Sequence, residues 1–436
     1  MASIDAIKEF GIVGAGGAGF PAYVKLGSAA EIFIVNAAEC EPLLHKDKEI
    51  LAHKSDLFFM GVRDCMRLIG ARRCIIGVKA KYIELMAHLK SCCSDNITVV
   101  GLQDFYPAGD EITLIYETTG RVVAAGKLPI SQNVIVSNVE TIYNVALQAP
   151  VTTKFLTVGG DVKKPATLEV PIGISLKDVL QVAEPVPGEY EVVVGGPMMG
   201  ALADDLDAPV TKTTGGLIVF AKQHPYIRRI QTAGTPKLVN RIGKSVCDQC
   251  CMCTERCPRF LLGHPIQPHK SMRTLLFEKG SAAGVQDAHN LFCCECNLCT
   301  LISCPEDLYP AQVCIAVKRS LMADKMQYRG PHLNQAHKMH AYRRTSIKKI
   351  MQKLDLNRFS NQGPLVAHDW KPKQVRVLLQ QHIGAPAKPV VAQNDIVQTR
   401  QKIASVGDQL GAEIHAPMDG RVTSITSEFI RIEVDH

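Results

Sequence analysis

Two runs of cysteines have the residue type and spacing to bind iron-sulfur clusters. The first run consists of Cys247, Cys250, Cys253 and Cys257, and the second of Cys293, Cys296, Cys299 and Cys304. Each run has C-x2-C-x2-C spacing and a distal cysteine followed by proline, the pattern that wraps a loop around one corner of a cubane. We therefore predict two [4Fe-4S] clusters in a protein that moves electrons.

The ligands of the two predicted clusters are expected to cross between the runs, because the last cysteine of each run binds the other cluster in two-cluster ferredoxins. One set would be Cys247, Cys250, Cys253 and Cys304, and the other Cys257, Cys293, Cys296 and Cys299. The second run departs from the pattern, since four residues rather than three separate Cys299 from Cys304. Cys251 and Cys294 therefore remain alternatives to Cys304 as the eighth ligand.

Zinc and disulfide bonds are the competing interpretations of these runs. A zinc site usually takes two separated pairs of ligands, which would leave the third closely spaced cysteine of each run without a role. Cysteines this close in sequence also form disulfides poorly. The total of 16 cysteines instead favours a reducing, cytoplasmic setting.

Composition predicts a multidomain globular protein. A chain of 436 residues with 46% hydrophobic content has room for roughly three or four domains, each with a core. No apolar stretch approaches the roughly 18 residues that a membrane helix needs. The net charge of +7 is scattered and accompanies no nucleic-acid reader motif, so we expect no nucleic-acid partner.

A glycine-rich segment near the N-terminus has the sequence GAGGAGFP over residues 14–21. It satisfies G-x-G-x-x-G, but a dinucleotide fingerprint must leave a strand and open a helix. Here residues 4–10 predict a short helix instead, and Pro21 interrupts the segment at once. Backbone without side chains still lets N–H groups approach a phosphate closely, so we predict a phosphate-binding loop of another kind.

Strands and helices then alternate along the chain. Apolar runs predict strands at residues 31–35, 74–78 and 97–100, and amphipathic patterns predict helices at about 49–69 and 82–90. This alternation is typical of a parallel α/β sheet, which binds ligands at the carboxyl ends of its strands. Glu39 and Glu41 follow the first predicted strand and are either ligand-binding residues or part of a solvated loop.

Four motifs occur in the order GAGGAGFPAYVK, VNAAECEP, YPAGDE and SNVET. Together they resemble the flavin-carrying subunit of complex I and the C subunit of the Rnf complex. The resemblance implies FMN and NADH as cofactors and names no separate catalytic side chain. The implied cofactor-binding residues are Gly14, Gly16, Gly17, Gly19, Phe20, Lys25, Asn36, Glu39, Glu41, Tyr106, Gly109, Glu111, Asn138 and Glu140. A flavin is chemically apt here, because it accepts a two-electron hydride and releases single electrons to clusters.

The fold class that these patterns and resemblances indicate is multidomain α/β. Residues 1–150 are expected to form a Rossmann-like FMN/NADH domain, and residues 151–235 are similar to an SLBB β-grasp module. Residues 236–345 would form an α-helical, ferredoxin-like domain with two clusters, and residues 346–371 a linker. Residues 372–436 resemble a barrel-sandwich hybrid of the lipoyl and biotinyl carrier type, although Gln409 replaces the modified lysine of carriers.

The order of these modules resembles the cobalamin reductases of propanediol-utilising bacterial microcompartments. That resemblance implies electron transfer from NADH through FMN and two clusters to cobalamin, taking cob(III)alamin towards cob(I)alamin. It also implies a cytoplasmic location within a microcompartment, with an adenosyltransferase and shell proteins as partners. The alternatives are a peripheral electron-transfer subunit of an Rnf-like NADH:ferredoxin oxidoreductase, and a scaffold protein without redox turnover.

Overall fold

A computed structural model describes residues 1–275 and 288–434 of the chain. Across those ranges, none of the helices combines the length and the apolar character needed to cross a bilayer. Four regions follow one another along the sequence, each with its own core.

The first region is built on a four-stranded parallel sheet with strand order β3-β2-β1-β5. The strands are β1 (Ile32–Ala37), β2 (Arg73–Lys79), β3 (Ile97–Leu102) and β5 (Val134–Asn138), with a short β4 (Phe105–Tyr106) outside the sheet. The three predicted strands are confirmed, with ends shifted by a few residues. A parallel sheet of this order is doubly wound, as expected for a Rossmann-like domain.

Helices cover both faces of this sheet. They are α1 (Ile4–Glu9), α2 (Ala22–Leu26), α3 (Lys46–His53), α4 (Ser55–Ile69), α5 (Ile83–Ser91), α6 (Glu111–Thr119) and α7 (Val139–Leu147), with a 3-10 turn at Pro129–Gln132. Side chains alternate along β1, so Phe33 and Val35 join the core on the side of α4 and α7, while Ile32 and Ile34 join the core on the side of α6. Burial on both faces explains the continuous apolar run of this strand.

The single helix expected at residues 49–69 is wrong, because the structure has two helices there. The backbone of Lys54 leaves the helical region, with φ −129° and ψ 26°. Helical hydrogen bonding therefore stops after α3 and restarts at Ser55. The break lets α3 begin at Lys46, beside the strand end that carries the second motif.

The second region is a mixed five-stranded sheet of order β7-β6-β10-β8-β9 with one helix packed against it. Its elements are β6 (Thr153–Gly160), β7 (Ala166–Pro171), α8 (Leu176–Ala183), β8 (Tyr190–Val194), β9 (Ala201–Leu202) and β10 (Gly216–Ala221). Strand β10 runs parallel to β6 and antiparallel to β8. The Ser175 side chain caps α8 by accepting a hydrogen bond from the N–H of Asp178 at 3.1 Å.

The third region contains both cysteine runs and is helical. Its elements are α9 (Pro225–Ala233), α10 (Pro236–Val246), α11 (Met252–Glu255), α12 (Pro258–Leu261), α13 (Pro268–Thr274), a 3-10 turn (His289–Phe292), a π-helical turn (Cys299–Ser303) and α14 (Pro310–Ala323). Five of these α-helices begin with proline within their first turn, where its missing N–H costs no hydrogen bond.

The segment expected as a linker contains regular structure. Strand β11 (Thr345–Ser346) pairs with β4, and helix α15 (Ile347–Lys353) buries Ile350 completely. Further along, the indole N–H of Trp370 donates to the carbonyl oxygen of Glu169 at 2.7 Å. The segment is thus packed against the first two regions.

The C-terminal region consists of two antiparallel sheets around one apolar core, with strand orders β12-β18-β17-β14 and β13-β15-β16. The strands are β12 (Gln374–Leu378), β13 (Lys388–Pro389), β14 (Ile396–Val397), β15 (Lys402–Ser405), β16 (Ile414–His415), β17 (Gly420–Ile425) and β18 (Phe429–Glu433). The sheets do not close into a single barrel.

Candidate redox centre

The structure gathers the two cysteine runs around two cavities. We call the first the outer cavity, because Cys250 in its wall is exposed to solvent. Its wall includes Cys247, Cys250, Cys251, Cys253 and Cys304. The second, the inner cavity, is lined by Cys257, Cys293, Cys294, Cys296, Cys299 and Cys314. Each cavity therefore contains three cysteines of one run and the distal cysteine of the other, which is the crossed arrangement expected from the spacing.

The two cysteine loops follow the same backbone path. Gln249 and Cys251 in the first loop have φ values of 60° and 66°, and Glu295 and Asn297 at equivalent positions in the second have 59° and 57°. Residues other than glycine seldom adopt this left-handed conformation. Its repetition at matching positions indicates that both loops are shaped for the same kind of ligand.

A π-helical turn explains how the extra residue before Cys304 is accommodated. The turn spans Cys299–Ser303 and widens the helix by one residue, as π-bulges at functional sites do. Cys304 then lies in the outer cavity, where its sulfur accepts a hydrogen bond from the N–H of Leu308 at 3.4 Å. The thiol of Cys251 donates instead to the carbonyl oxygen of Gln249 at 3.2 Å, so this spare cysteine already has a partner.

The donor set of each cavity fits an iron-sulfur cluster. In the described residues, no three Cys, His, Asp or Glu side chains meet closely enough to hold a single ion. A cubane is held differently, by cysteine thiolates at its separate corners, so its ligands line a cavity. Burial raises the pKa of Cys253 and of Cys293 to about 12, so the bare thiols would stay protonated at neutral pH. Coordination to iron would supply the positive charge that removes those protons.

The glycine-rich loop has the geometry of an anion cradle. It is closed by hydrogen bonds from the N–H of Gly14 to the carbonyl oxygen of Phe20 at 2.8 Å and from the N–H of Gly19 to that of Gly14 at 3.1 Å. At its tip, Gly16 and Gly17 are exposed, and their N–H groups have no partner among the described residues. Gly17 has a φ of 112° with open space beside it, which leaves room for a phosphate.

The second and fourth motifs meet at the carboxyl ends of neighbouring strands. Asn36 at the end of β1 is the register partner of Asn138 at the end of β5. The Asn36 side chain donates to the carbonyl oxygen of Gly109 at 2.7 Å, and that of Asn138 donates to Asp47 at 2.7 Å. The chain order reverses between β1 and β5, and doubly wound sheets bind cofactors at such switch points.

Further motif residues lie around this strand edge. Lys25 donates to a carboxylate oxygen of Glu111 at 2.7 Å, and both side chains are half-exposed. A methyl group placed on Gly16 would touch the Asn138 side chain at 3.4 Å, so the glycine loop lies against the fourth motif. The structure therefore brings residues of all four motifs together.

Neither Glu39 nor Glu41 is a freely solvated side chain. Glu39 accepts a hydrogen bond from the N–H of Asp47 at 3.1 Å, and burial together with the Asp47 charge raises its pKa to about 8. Burial also raises the pKa of Glu41 to about 7, although the N–H groups of Met198 and Met199 donate to it.

Glu140 differs from the other motif residues because it is committed to a buried ion network. Its carboxylate pairs with the ammonium groups of Lys154 and Lys46 and accepts the N–H of Phe155 at 2.9 Å. Lys154 also donates to the carbonyl oxygen of Ala15 at 3.0 Å. Glu140 thus supports the glycine loop from below.

Several residues at the site carry no sequence signal of their own. Lys46 and Lys154 lie far from Glu140 in sequence, and only the fold shows their pairing with it. Arg259 likewise bonds Asp110 of the third motif at 2.7 Å and joins the first region to the inner cavity. A cleft of about 770 Å³ opens at this junction. Its walls include Asp110, Glu111, Lys127, Arg259, Cys293 and Cys294.

Three family descriptions match successive parts of the chain. The Nuo51 FMN-binding domain matches residues 7–147, a 4Fe-4S dicluster domain matches residues 246–309, and the RnfC barrel sandwich hybrid domain matches residues 352–433. The chain is therefore a multidomain protein with a flavin-binding domain and an iron-sulfur domain.

Relatives extend this similarity to nearly the whole chain. The cobalamin reductase PduS of Salmonella typhimurium is 42% identical over 98% of this chain and 95% of its own length. PduS of Citrobacter freundii is 41% identical over the same shares. The C subunit of the proton-translocating ferredoxin:NAD(+) oxidoreductase of Clostridium ljungdahlii is 33% identical over 65% of this chain and 60% of its own. The chain belongs to the PduS cobalamin reductase family.

Proposed function

We propose that this protein is an NADH-dependent cobalamin reductase that uses FMN and two [4Fe-4S] clusters. The observation that carries the proposal is the junction in which the inner cysteine cavity packs directly against the flavin-type motifs. Full-length similarity to proteins named cobalamin reductase supports cobalamin as the acceptor. When bound, FMN would convert the hydride of NADH into single electrons.

The residues have distinct roles in this proposal. Gly14, Gly16, Gly17 and Gly19 would hold the flavin phosphate, because their loop presents exposed N–H groups. The remaining motif residues would orient the flavin and the nicotinamide at the strand edge, including Phe20, Lys25, Asn36, Glu39, Glu41, Tyr106, Gly109, Glu111 and Asn138. Glu140 acts by holding the glycine loop in place.

The two cysteine sets would serve opposite ends of the electron route. The inner set is Cys257, Cys293, Cys296 and Cys299, and Cys296 shares an apolar cluster with Tyr106 of the third motif. The outer set is Cys247, Cys250, Cys253 and Cys304, and its Cys250 reaches solvent. The inner set is thus on the donor side, and a large acceptor such as cobalamin would meet the outer set.

Anaerobic purification with flavin, iron and sulfide counts, followed by an NADH-to-cob(III)alamin assay, tests the proposal. We expect one FMN, two clusters and cobalamin reduction by the protein alone. Cobalamin reduction that requires a second protein would instead favour an Rnf-like electron-transfer component, an alternative supported by the similarity to the Clostridium ljungdahlii protein. If the purified protein contained no flavin and did not oxidise NADH, the reductase proposal would fail and the scaffold interpretation would remain.

Two cysteine variants test the direction of the route. Cys250→Ser should keep NADH-driven bleaching of the inner cluster and lose cobalamin reduction. Cys257→Ser should leave the outer cluster oxidised in the presence of NADH. Bleaching of the outer cluster in Cys257→Ser protein would reverse the assigned order.

The module boundaries and the cellular setting remain part of the proposal. We place the flavin domain at residues 1–150, a β-grasp module at 151–235, the cluster domain at 236–345 and the hybrid domain at 372–436. The name PduS favours a microcompartment location with shell proteins and an adenosyltransferase as partners.

A further inference from the structure

We propose that Glu41, the loop of residues 195–200 and Asn297 form a clamp that fixes the inner cysteine loop against the flavin-side motifs. Glu41 and Asn297 are then positioning residues for electron transfer to the inner cluster. The inference rests on the proposed function, but it concerns one internal step of the route. We refer to these residues together as the clamp.

The Glu41 end of the clamp is a carboxylate held by two consecutive backbone N–H groups. The N–H of Met198 donates to one carboxylate oxygen at 2.9 Å, and the N–H of Met199 donates to the other at 3.0 Å. The Tyr106 hydroxyl adds a longer contact of 3.4 Å. Because both carboxylate oxygens accept a hydrogen bond from the same loop, this end attaches the first region to the second.

Glycines in the loop allow this close approach. A methyl group on Gly196 would lie 2.2 Å from a carboxylate oxygen of Glu41, and one on Gly200 would lie 2.5 Å from the carbonyl oxygen of Gly196. Gly195 has a φ of 98°, which favours glycine. The Gly-Gly-Pro-Met-Met sequence is therefore a receptor for the Glu41 carboxylate as well as a turn.

The Asn297 end continues from the same residue. The carbonyl oxygen of Met198 accepts a hydrogen bond from the Asn297 side chain at 2.7 Å. The N–H of the same residue, Met198, donates to Glu41. The side-chain oxygen of Asn297 in turn accepts a hydrogen bond from the side-chain amide of Gln312 at 3.2 Å. One backbone unit thus links the second flavin-side motif to the residue after Cys296.

Packing around the clamp connects it to electron transfer. Met198 and Tyr106 are buried in one apolar cluster with Cys296 and Leu298. The Tyr226 hydroxyl donates to the carbonyl oxygen of Pro197 at 2.6 Å and braces the loop from the other side. Loosening the clamp at Asn297 should let the inner cysteine loop shift relative to the flavin-side motifs, without removing a cysteine or a proposed flavin-binding residue.

Asn297→Ala is the direct test, with Asn240→Ala on the exposed face of α10 as the control. Anaerobic stopped-flow spectroscopy with NADH would follow flavin reduction and cluster bleaching separately. We expect unchanged flavin content, iron content and flavin reduction. Cluster bleaching should slow about fivefold or more, because losing one net hydrogen bond shifts the equilibrium between the docked and displaced loop by about that factor. The inner-cluster EPR signal should also change shape in Asn297→Ala and not in Asn240→Ala.

Tyr226→Phe provides an independent variant, because Tyr226 is neither a cysteine ligand nor a proposed cofactor-binding residue and its hydroxyl holds the loop at Pro197. If the clamp acts as one unit, Tyr226→Phe and Asn297→Ala together should slow bleaching by less than the product of their separate factors. Normal bleaching in fully loaded Asn297→Ala protein, or strictly multiplicative effects, would overturn the clamp. Should Asn297→Ala lose iron, the bleaching rate in Tyr226→Phe decides the question. A parent protein that bleaches its clusters but does not reduce cobalamin would defeat the proposed acceptor and leave the clamp standing.

Discussion

Replacing Glu140 with glutamine should destabilise the first region severely. The Glu140 side chain is 1% exposed, and its charge is shared between Lys46 and Lys154. Burial alone would raise its pKa, but the two ammonium groups hold the pKa of Glu140 below its usual value. Glutamine can keep the hydrogen bond from Phe155, yet it removes the only carboxylate that pairs with Lys154 among the described residues.

The size of the effect follows from the charge that is left behind. Breaking a buried ion pair from one side costs about 3–5 kcal/mol, because the remaining ion stays buried without compensation. A domain of this size has only about 5–15 kcal/mol of stability. We therefore expect the melting transition of the first region to fall by on the order of 10 °C.

Heat-induced release of FMN, followed by the rise in flavin fluorescence, is the appropriate assay, since it reports on this region rather than the whole chain. Glu140→Gln combined with Lys154→Met should lose less than the two single variants together, because the double variant contains no unpaired ion of this pair. The stabilisation should be complete above the ordinary carboxyl pKa and disappear as the pH falls through the lowered pKa of Glu140. A release temperature within 2 °C of the parent protein (about 0.5 kcal/mol) would refute the reasoning.

Three further predictions concern other parts of the site. Burial and the Asp47 charge raise the pKa of Glu39 to about 8, whereas the unfolded chain releases this proton near 4.5, so stability should fall as the pH rises from 4.5 to 8. Thermal melts of the parent protein should show a melting temperature that falls over this pH range, and Glu39→Gln should show a flatter dependence. Cys304→Ser should lose about half of the bound iron, whereas Cys251→Ser should retain it, and equal losses would contradict the assignment of Cys304 to the outer cavity. Lys212 donates to the carbonyl oxygens of Gly11 and Glu413 at 2.7 and 2.8 Å; Lys212→Met leaves both buried acceptors unpaired at about 1–3 kcal/mol each, so limited proteolysis should release the C-terminal region faster than in a Lys237→Met control.

Sequence reasoning located the features that depend on local pattern. The apolar run of β1 is visible because a strand buried on both faces has no polar alternation, and the cysteine spacing reflects the shape of a loop around a cluster. The break at Lys54 was missed, because the amphipathic pattern continues across it. The pairing of Lys154 with Glu140 was also missed, since charges on separate elements give no local signal. The π-helical turn shows the same limit, because spacing marked Cys304 as irregular and only the helix geometry explains how it reaches the outer cavity.

The contacts that set the spacing of the cofactors lie between regions. Asp110 forms an ion pair with Arg259, and Met198 forms hydrogen bonds with both Glu41 and Asn297. In addition, the N–H of Ile383 in the C-terminal region donates to the carbonyl oxygen of Gly19 at 3.0 Å. The last contact joins two backbones, so it fixes the glycine loop whatever the side chains are. It also gives the C-terminal region a structural role that needs no carrier lysine, consistent with Gln409. A fragment that contains only the first region should therefore bind FMN more weakly than the full chain, because it lacks Lys154 and Ile383, which hold the glycine loop. Titration of the fragment and the full chain with FMN would measure the difference, and equal affinities would contradict this role of the other regions.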